Sequence, residues 1–302
     1  MDKNDRRFRA ADILLLTLAA LPVLCGILLK VLYTPASDDI NITGALIFCT
    51  LKMPYGELPV TESQVNSWLV IVSIFWLCLY LTHGVTAHGG SKRQIVAEWI
   101  VEKCDGLVQE SMGAYFKGFA PFVAAVMALS AFSSLLTLVG LYPPTSDINV
   151  SAGWAILVFI LITYYKMKCG PLQYIKSFTE PVPLLTPLNI ISEVATPVSM
   201  AFRQYGNVLS GTVMSALISA GLSGLTKSLL GWLPGMLGDI PFLQIGIPAV
   251  LSIYFDVFSG LLQAFIFAML SMLYISGGFP EELYMQKKAK GLQKHARAAA
   301  NQ

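Results

Sequence analysis

Charge is what this chain has least of. Only 13% of its 302 residues are Asp, Glu, Lys or Arg and 55% are hydrophobic, whereas a soluble domain carries about 25% charged residues. That scarcity excludes an ordinary soluble globular protein. A net charge of +2 offers no basic surface for nucleic acid, so no nucleic-acid partner is expected. Histidine is almost missing: of three, His83 and His88 lie five apart in a Gly-rich helix exit, which does not make a metal site. The five cysteines show no CxxC spacing, which argues against both a disulfide framework and zinc. No GxxxxGK[ST] loop occurs, so this chain has no such cradle for nucleotide phosphates, and no cofactor is expected. The apolar runs do not alternate apolar and polar residues as barrel strands must.

What remains is a set of long continuous apolar runs, several near or above the ~20 residues that cross a bilayer. The pattern predicts an all-α, multi-pass membrane protein with about six inserted helices. The first is 11–33, after the basic decapeptide MDKNDRRFRA, and it is read as a retained span rather than a signal peptide. An external loop follows over 34–64, then spans at 65–84, 118–141 and 150–165, the last two joined by the Pro-containing turn 142–149. Residues 91–113 mix Ile95, Trp99 and Ile100 with charges at helical spacing and are expected to lie on the membrane surface. A surface loop at 166–183 precedes two apolar stretches, 187–225 and 241–276, each longer than one perpendicular crossing requires. Both are expected to be strongly tilted or partly horizontal helices, joined near LGWLPGMLGDIP.

Basic residues collect in 1–10, 85–114, 166–183 and the tail from 277, while the alternate loops hold Lys52, none, and Lys227. With six spans, the positive-inside rule puts both termini in the cytoplasm. The expected division is an N-terminal span and external loop (1–64), an ion-channel domain (65–278) and a cytoplasmic basic tail (279–302).

Two charges fall inside the last apolar stretches: Arg203 in AFRQYGN, and Asp256. Each costs about 2.5–3.5 kcal/mol at mid-bilayer on insertion scales, so such residues mark ion paths by default. No acid lies within a helical turn of Arg203 on either side. Asn207 and Ser210 follow it at four and seven residues, and Gln263 follows Asp256 at seven, placing each set on one face of a regular helix. Glycines on both stretches, Gly211 and Gly260 among them, permit close helix approach.

Taken together, TESQVNSWLV, FAPFVAAV, PPTSDINVSAG, EPVPLLTPLNIISEVATPVSMAFRQYGN and LLQAFIFAMLSMLYIS resemble subunit a of the F-type ATP synthase membrane sector, over roughly 60–278. The resemblance implies a stator subunit that carries protons, or Na⁺, through two offset half-channels to and from a ring of c subunits. Arg203 would face the rotor carboxylate, which supplies the missing counter-ion, and Gln263 would face the arginine across the two helices. Asn207 and Asp256 would belong to the outer half-channel, with Asp256 replacing the acid that many relatives carry where this chain has Thr212. Glu193 would stand near the cytoplasmic half-channel, and Asp147 and Asn149 near the outer entrance. Gln204 departs from a common leucine. Implied partners are the c ring, peripheral-stalk b subunits and the lipid bilayer, in a bacterial inner membrane. The subunit would have no catalytic site of its own. A secondary ion transporter with a midplane charge site is the alternative, though no inverted repeat supports it. Intact-mass measurement of the mature chain is expected to find 11–33 retained; loss of the first ~25–35 residues would indicate a cleaved signal peptide instead.

Overall fold

The computed structural model describes residues 3–33, 45–54, 56–86, 91–168, 174, 176, 178–179, 183–230, 250–251 and 253–279. Within them the order is α1 (Lys3–Tyr33), β1 (Ile47–Met53), β2 (Gly56–Thr61), α2 (Glu62–Thr82), α3 (Lys92–Met112), α4 (Ala120–Leu135), α5 (Ile148–Met167), α6 (Thr186–Leu230), a π-helical segment (Ile253–Ser259) and α7 (Gly260–Gly277). Short 3-10 turns at Ala114–Phe119 and Leu136–Val139 extend α4 at both ends. Among the described residues, six stretches are long and apolar enough to cross a membrane: Ala11–Leu32, Glu62–Thr82, Ala114–Val139, Ile148–Met167, Pro183–Thr226 and Ile253–Gly277. The chain is an all-α multi-span membrane protein.

The external loop expected over 34–64 contains more order than its prolines suggest. β1 and β2 pair antiparallel with Ile47 opposite Thr61 and Met53 opposite Gly56, and the second span begins at Glu62 rather than 65. Pro59 is accommodated because a two-stranded ribbon leaves each strand an unpaired edge. The second long stretch is described only in part. Its described helix runs from 253 to 277, the length of one crossing, and its early part, 241–249, lies outside the described residues. The first is a single helix of 45 residues. At 1.5 Å per residue a straight helix of that length is about 67 Å, and it fits a ~30 Å hydrocarbon core only when tilted by roughly 60°. α3 is not among the six stretches; Ile95, Trp99 and Val101 project from it into the surroundings, as an interfacial helix requires.

α1 lies along α2 and is tied at both ends. At one, Arg93 pairs with Asp12, His83 Nδ1 stands 3.5 Å from the same carboxylate, and the guanidinium covers the Tyr80 ring. At the other, Lys30 pairs with the buried Glu62 at 3.8 Å and donates to the Gly140 carbonyl. Glu62 also accepts from the Tyr142 backbone N–H at 3.3 Å. Between the ends Gly26 admits Leu69 and Leu141, close enough that a Cβ would stand 2.9 Å from Leu69 Cδ1.

The core joins α3, α4, α5, α6 and α7 through Val108, Val123, Val158, Met200, Phe267 and Met272. Lipid tails are as apolar as Leu, so close contact of small residues matters more here than hydrophobic exclusion. The tightest such contact is Gly260 of α7 against Ser134 of α4: a Cβ on Gly260 would lie 2.5 Å from Ser134 Cβ. Gly260→Ala is therefore expected to destabilise the folded chain by about 1–3 kcal/mol through overpacking. Addition of Ser134→Gly should recover most of that loss, read by thermal unfolding in detergent.

Candidate functional site

α6 is the least covered of the six stretches: 6% of an apolar 18-residue part of it is buried, compared with 44% for Ile253–Gly277. Its inner side inserts Met200, Ala201, Gln204 and Gly211 into the bundle, while Phe202, Arg203 and Ser210 face outward. Arg203 makes no hydrogen bond or ion pair with any described residue. The opposite side of the same turn is firmly held: Gln204 Nε2 donates to Ser130 Oγ at 2.8 Å. Asn207 exchanges two bonds with Ser259, Ser259 Oγ donating at 2.8 Å and Asn207 Nδ2 reaching the Ser259 carbonyl at 3.3 Å.

Asp256 sits in the π-helical segment. A π-turn winds wider than an α-turn, so the seven-residue spacing to Gln263 no longer places both on one face as a regular helix would. Asp256 is half-buried and lines a crevice with Asn207, Gly211, Phe255, Ser134 and Thr137. Its volume of ≈ 10 Å³ for water centres is the scale of a single water. Thr212 is turned away from this role, its hydroxyl donating to the Leu209 carbonyl of its own helix at 2.9 Å. Gln263 is buried on α7, and its Nε2 has no hydrogen-bond partner among the described residues.

Towards the N-terminal end of α6, Glu193 receives Lys166 Nζ on both carboxylate oxygens at 2.7 Å. The pair opens into a cavity of ≈ 190 Å³, lined also by Thr196, Tyr274 and Gly278. Tyr174 OH reaches Glu193 at 3.5 Å. Burial, with the Glu193 carboxylate adding to it, pushes the Tyr174 phenol above its usual range, so it stays a protonated donor. At the opposite end of the bundle Asp147 caps α5, accepting from Asn149 N at 2.9 Å and Asn149 Nδ2 at 3.1 Å, and it receives Ser63 Oγ at 2.6 Å. Asn149 itself is exposed.

The structure thus gathers Asn207 and Asp256 around one crevice and leaves Arg203, Glu193 and the Asp147–Asn149 turn apart from it. Sequence reasoning missed the serines of ALSAFSSLL: Ser130 receives Gln204, Ser133 Oγ accepts from the Thr145 backbone N–H at 3.2 Å, and Ser134 receives Gly260. Their spacing within one helical turn was the available signal. It also missed Lys166 as the partner of Glu193, because 27 residues of chain separate them.

Comparison with known proteins supplies a family. The profile of the ATP synthase A chain family matches residues 64–276. ATP synthase subunit a of Legionella pneumophila strain Philadelphia 1 is 28% identical over 225 residues, covering 74% of this chain and 88% of the relative. That of Bacillus pumilus is 32% identical over 230 residues, 71% of this chain and 91% of its own. ATP synthase subunit a 3 of Pelobacter propionicus is 30% identical over 240 residues, 76% and 95%. With most of its length and five of its six membrane-scale helices inside the matched region, the chain belongs to the ATP synthase A chain family, as a multi-pass membrane subunit of the bacterial F-type ATP synthase.

Proposed function

We propose that this subunit is the stator half of a rotary proton path, passing protons between two offset half-channels and the carboxylates of a turning c ring. The observation that carries the proposal is Arg203, an outward-facing guanidinium on an apolar helix with no partner among the described residues. Leaving it in hydrocarbon is costly, so a rotor carboxylate is its natural counter-ion. Arginine suits the task because it keeps its charge at any working pH, whereas a desolvated lysine can lose its proton.

The polar groups on either side of Arg203 fit two separate half-paths. Asn207 and Asp256 form the outer one, reached past Asp147 and Asn149. Glu193, paired with Lys166 beside the cavity of ≈ 190 Å³, forms the inner one. In the synthesis direction a proton passes from the outer side through Asp256 to an ionised rotor carboxylate, which is then neutral and can turn into lipid. Another rotor carboxylate arriving on the inner side gives up its proton toward Glu193, becomes an anion and is drawn to Arg203. The guanidinium blocks a direct hop between the two sides by repelling a free proton, while the buried Gln263 keeps an amide N–H, unpartnered among the described residues, for a group that enters the path. Peripheral-stalk b subunits would hold the chain against torque, and both termini would face the cytoplasm. ATP chemistry belongs to the soluble head of the complex.

Arg203→Ala in the intact complex is expected to abolish ATP-driven pumping in membrane vesicles; normal acidification would overturn the proposal. Asp256→Asn preserves volume but cannot relay a proton, and pumping should fall by roughly tenfold to a hundredfold. Adding Thr212→Glu to Asp256→Asn should restore part of the rate if both positions serve one path. Full pumping in the single Asn variant would leave Asp256 as a solvated structural acid.

A further inference from the structure

Next to Arg203 stands a side chain with no part in the path just described. Gln204 is 0% exposed, and among the described residues its side chain makes one hydrogen bond, to Ser130 Oγ on α4. Its Oε1 is buried without a partner among the described residues. A buried amide with an unmet acceptor is a poor stabiliser, and replacing such a pair by apolar groups of similar shape is often neutral or favourable. Stability therefore does not explain a glutamine here. What a directional bond provides and a leucine does not is orientation.

The surroundings are built for that. Ser130 is itself fixed, since Ser134 Oγ donates to its carbonyl at 3.2 Å and Ser134 is seated against Gly260 in the tightest interhelical contact described above. Three residues after Gln204, Asn207 is held by two bonds to Ser259. Each residue turns an α-helix by about 100°, so anchors at 204 and 207 bound the rotation of α6 about its own axis. Arg203, with no bond to another described residue, has its Cα–Cβ bond aimed by that rotation.

We infer that Gln204 is a positioning residue: through Ser130 it sets the rotation of α6 and so aims the Arg203 guanidinium at the rotor. The inference rests on the rotary reading above.

The test uses the whole ATP synthase in liposomes, measuring protons pumped per ATP hydrolysed and passive proton leak, each per assembled complex. Gln204→Leu should still assemble, yet lower the pumping ratio and raise the leak by roughly three- to tenfold, the population shift that one buried hydrogen bond controls. The reciprocal exchange, Gln204→Ser with Ser130→Gln, should restore both readings, because it rebuilds the bond from the other side. An unchanged ratio and leak in Gln204→Leu overturns the role. So does a defect confined to the amount of assembled complex, or a lower ratio that the exchange does not repair. Arg203→Ala, measured alongside, separates the two levels. Loss of pumping there with a normal Gln204→Leu removes only this inference, whereas normal pumping there removes the rotary reading beneath it.

Discussion

A cation facing hydrocarbon must be answered by an anion, and the architecture of this chain is arranged around one that nothing within its described residues answers. Arg203 lies on the bare side of α6, and the polar groups nearest to it in sequence are committed elsewhere: Gln204 to Ser130, Asn207 to Ser259. In a low-dielectric medium an uncompensated charge is felt strongly, so the guanidinium favours a carboxylate brought to it from outside. The bundle accordingly spends its close packing on one side of α6 and leaves the other uncovered.

Holding a bare helix in place is a problem of specificity more than of cohesion, because helix association in lipid has little hydrophobic drive. The chain solves it with short polar bonds and small residues at the level of Arg203. The serines of α4 reach three neighbours, the Thr145 turn, α6 and α7, and Gly260 allows the last of these to approach closely. Away from that level the links are ionic: Asp12 with Arg93, Lys30 with Glu62, and Lys166 with Glu193. Each joins elements well separated in the chain, so each fixes geometry that local helix formation leaves open.

That division explains what could be read in advance. Span positions were legible because hydrocarbon imposes a length and a composition on every crossing helix, and the surface placement of α3 followed from Trp99 and Ile100 set among charges. Arg203 and Asp256 were legible as misfits in apolar runs, and the family itself was legible from its motifs, as the profile match bears out. The β1–β2 ribbon was not, because Pro59 and the acids of that segment read as a loop and strand pairing is a non-local event. The π-helical winding at Asp256 was invisible for a related reason: hydrophobic periodicity assumes the α-helical repeat, and the wider turn shows only in the backbone. The partners of Gln204 and Glu193 lie 74 and 27 residues away, beyond any spacing argument.

The length of α6 has a consequence for the lipid itself. A helix of 45 residues is longer than an upright crossing needs, and such a stretch is accommodated by tilting, kinking or local thickening of the bilayer. Each response has a cost that depends on the thickness of the host bilayer, at fractions of a kcal/mol per Å of mismatch. The acyl-chain length of the host membrane thereby becomes a physical variable of this subunit, setting how far α6 must incline.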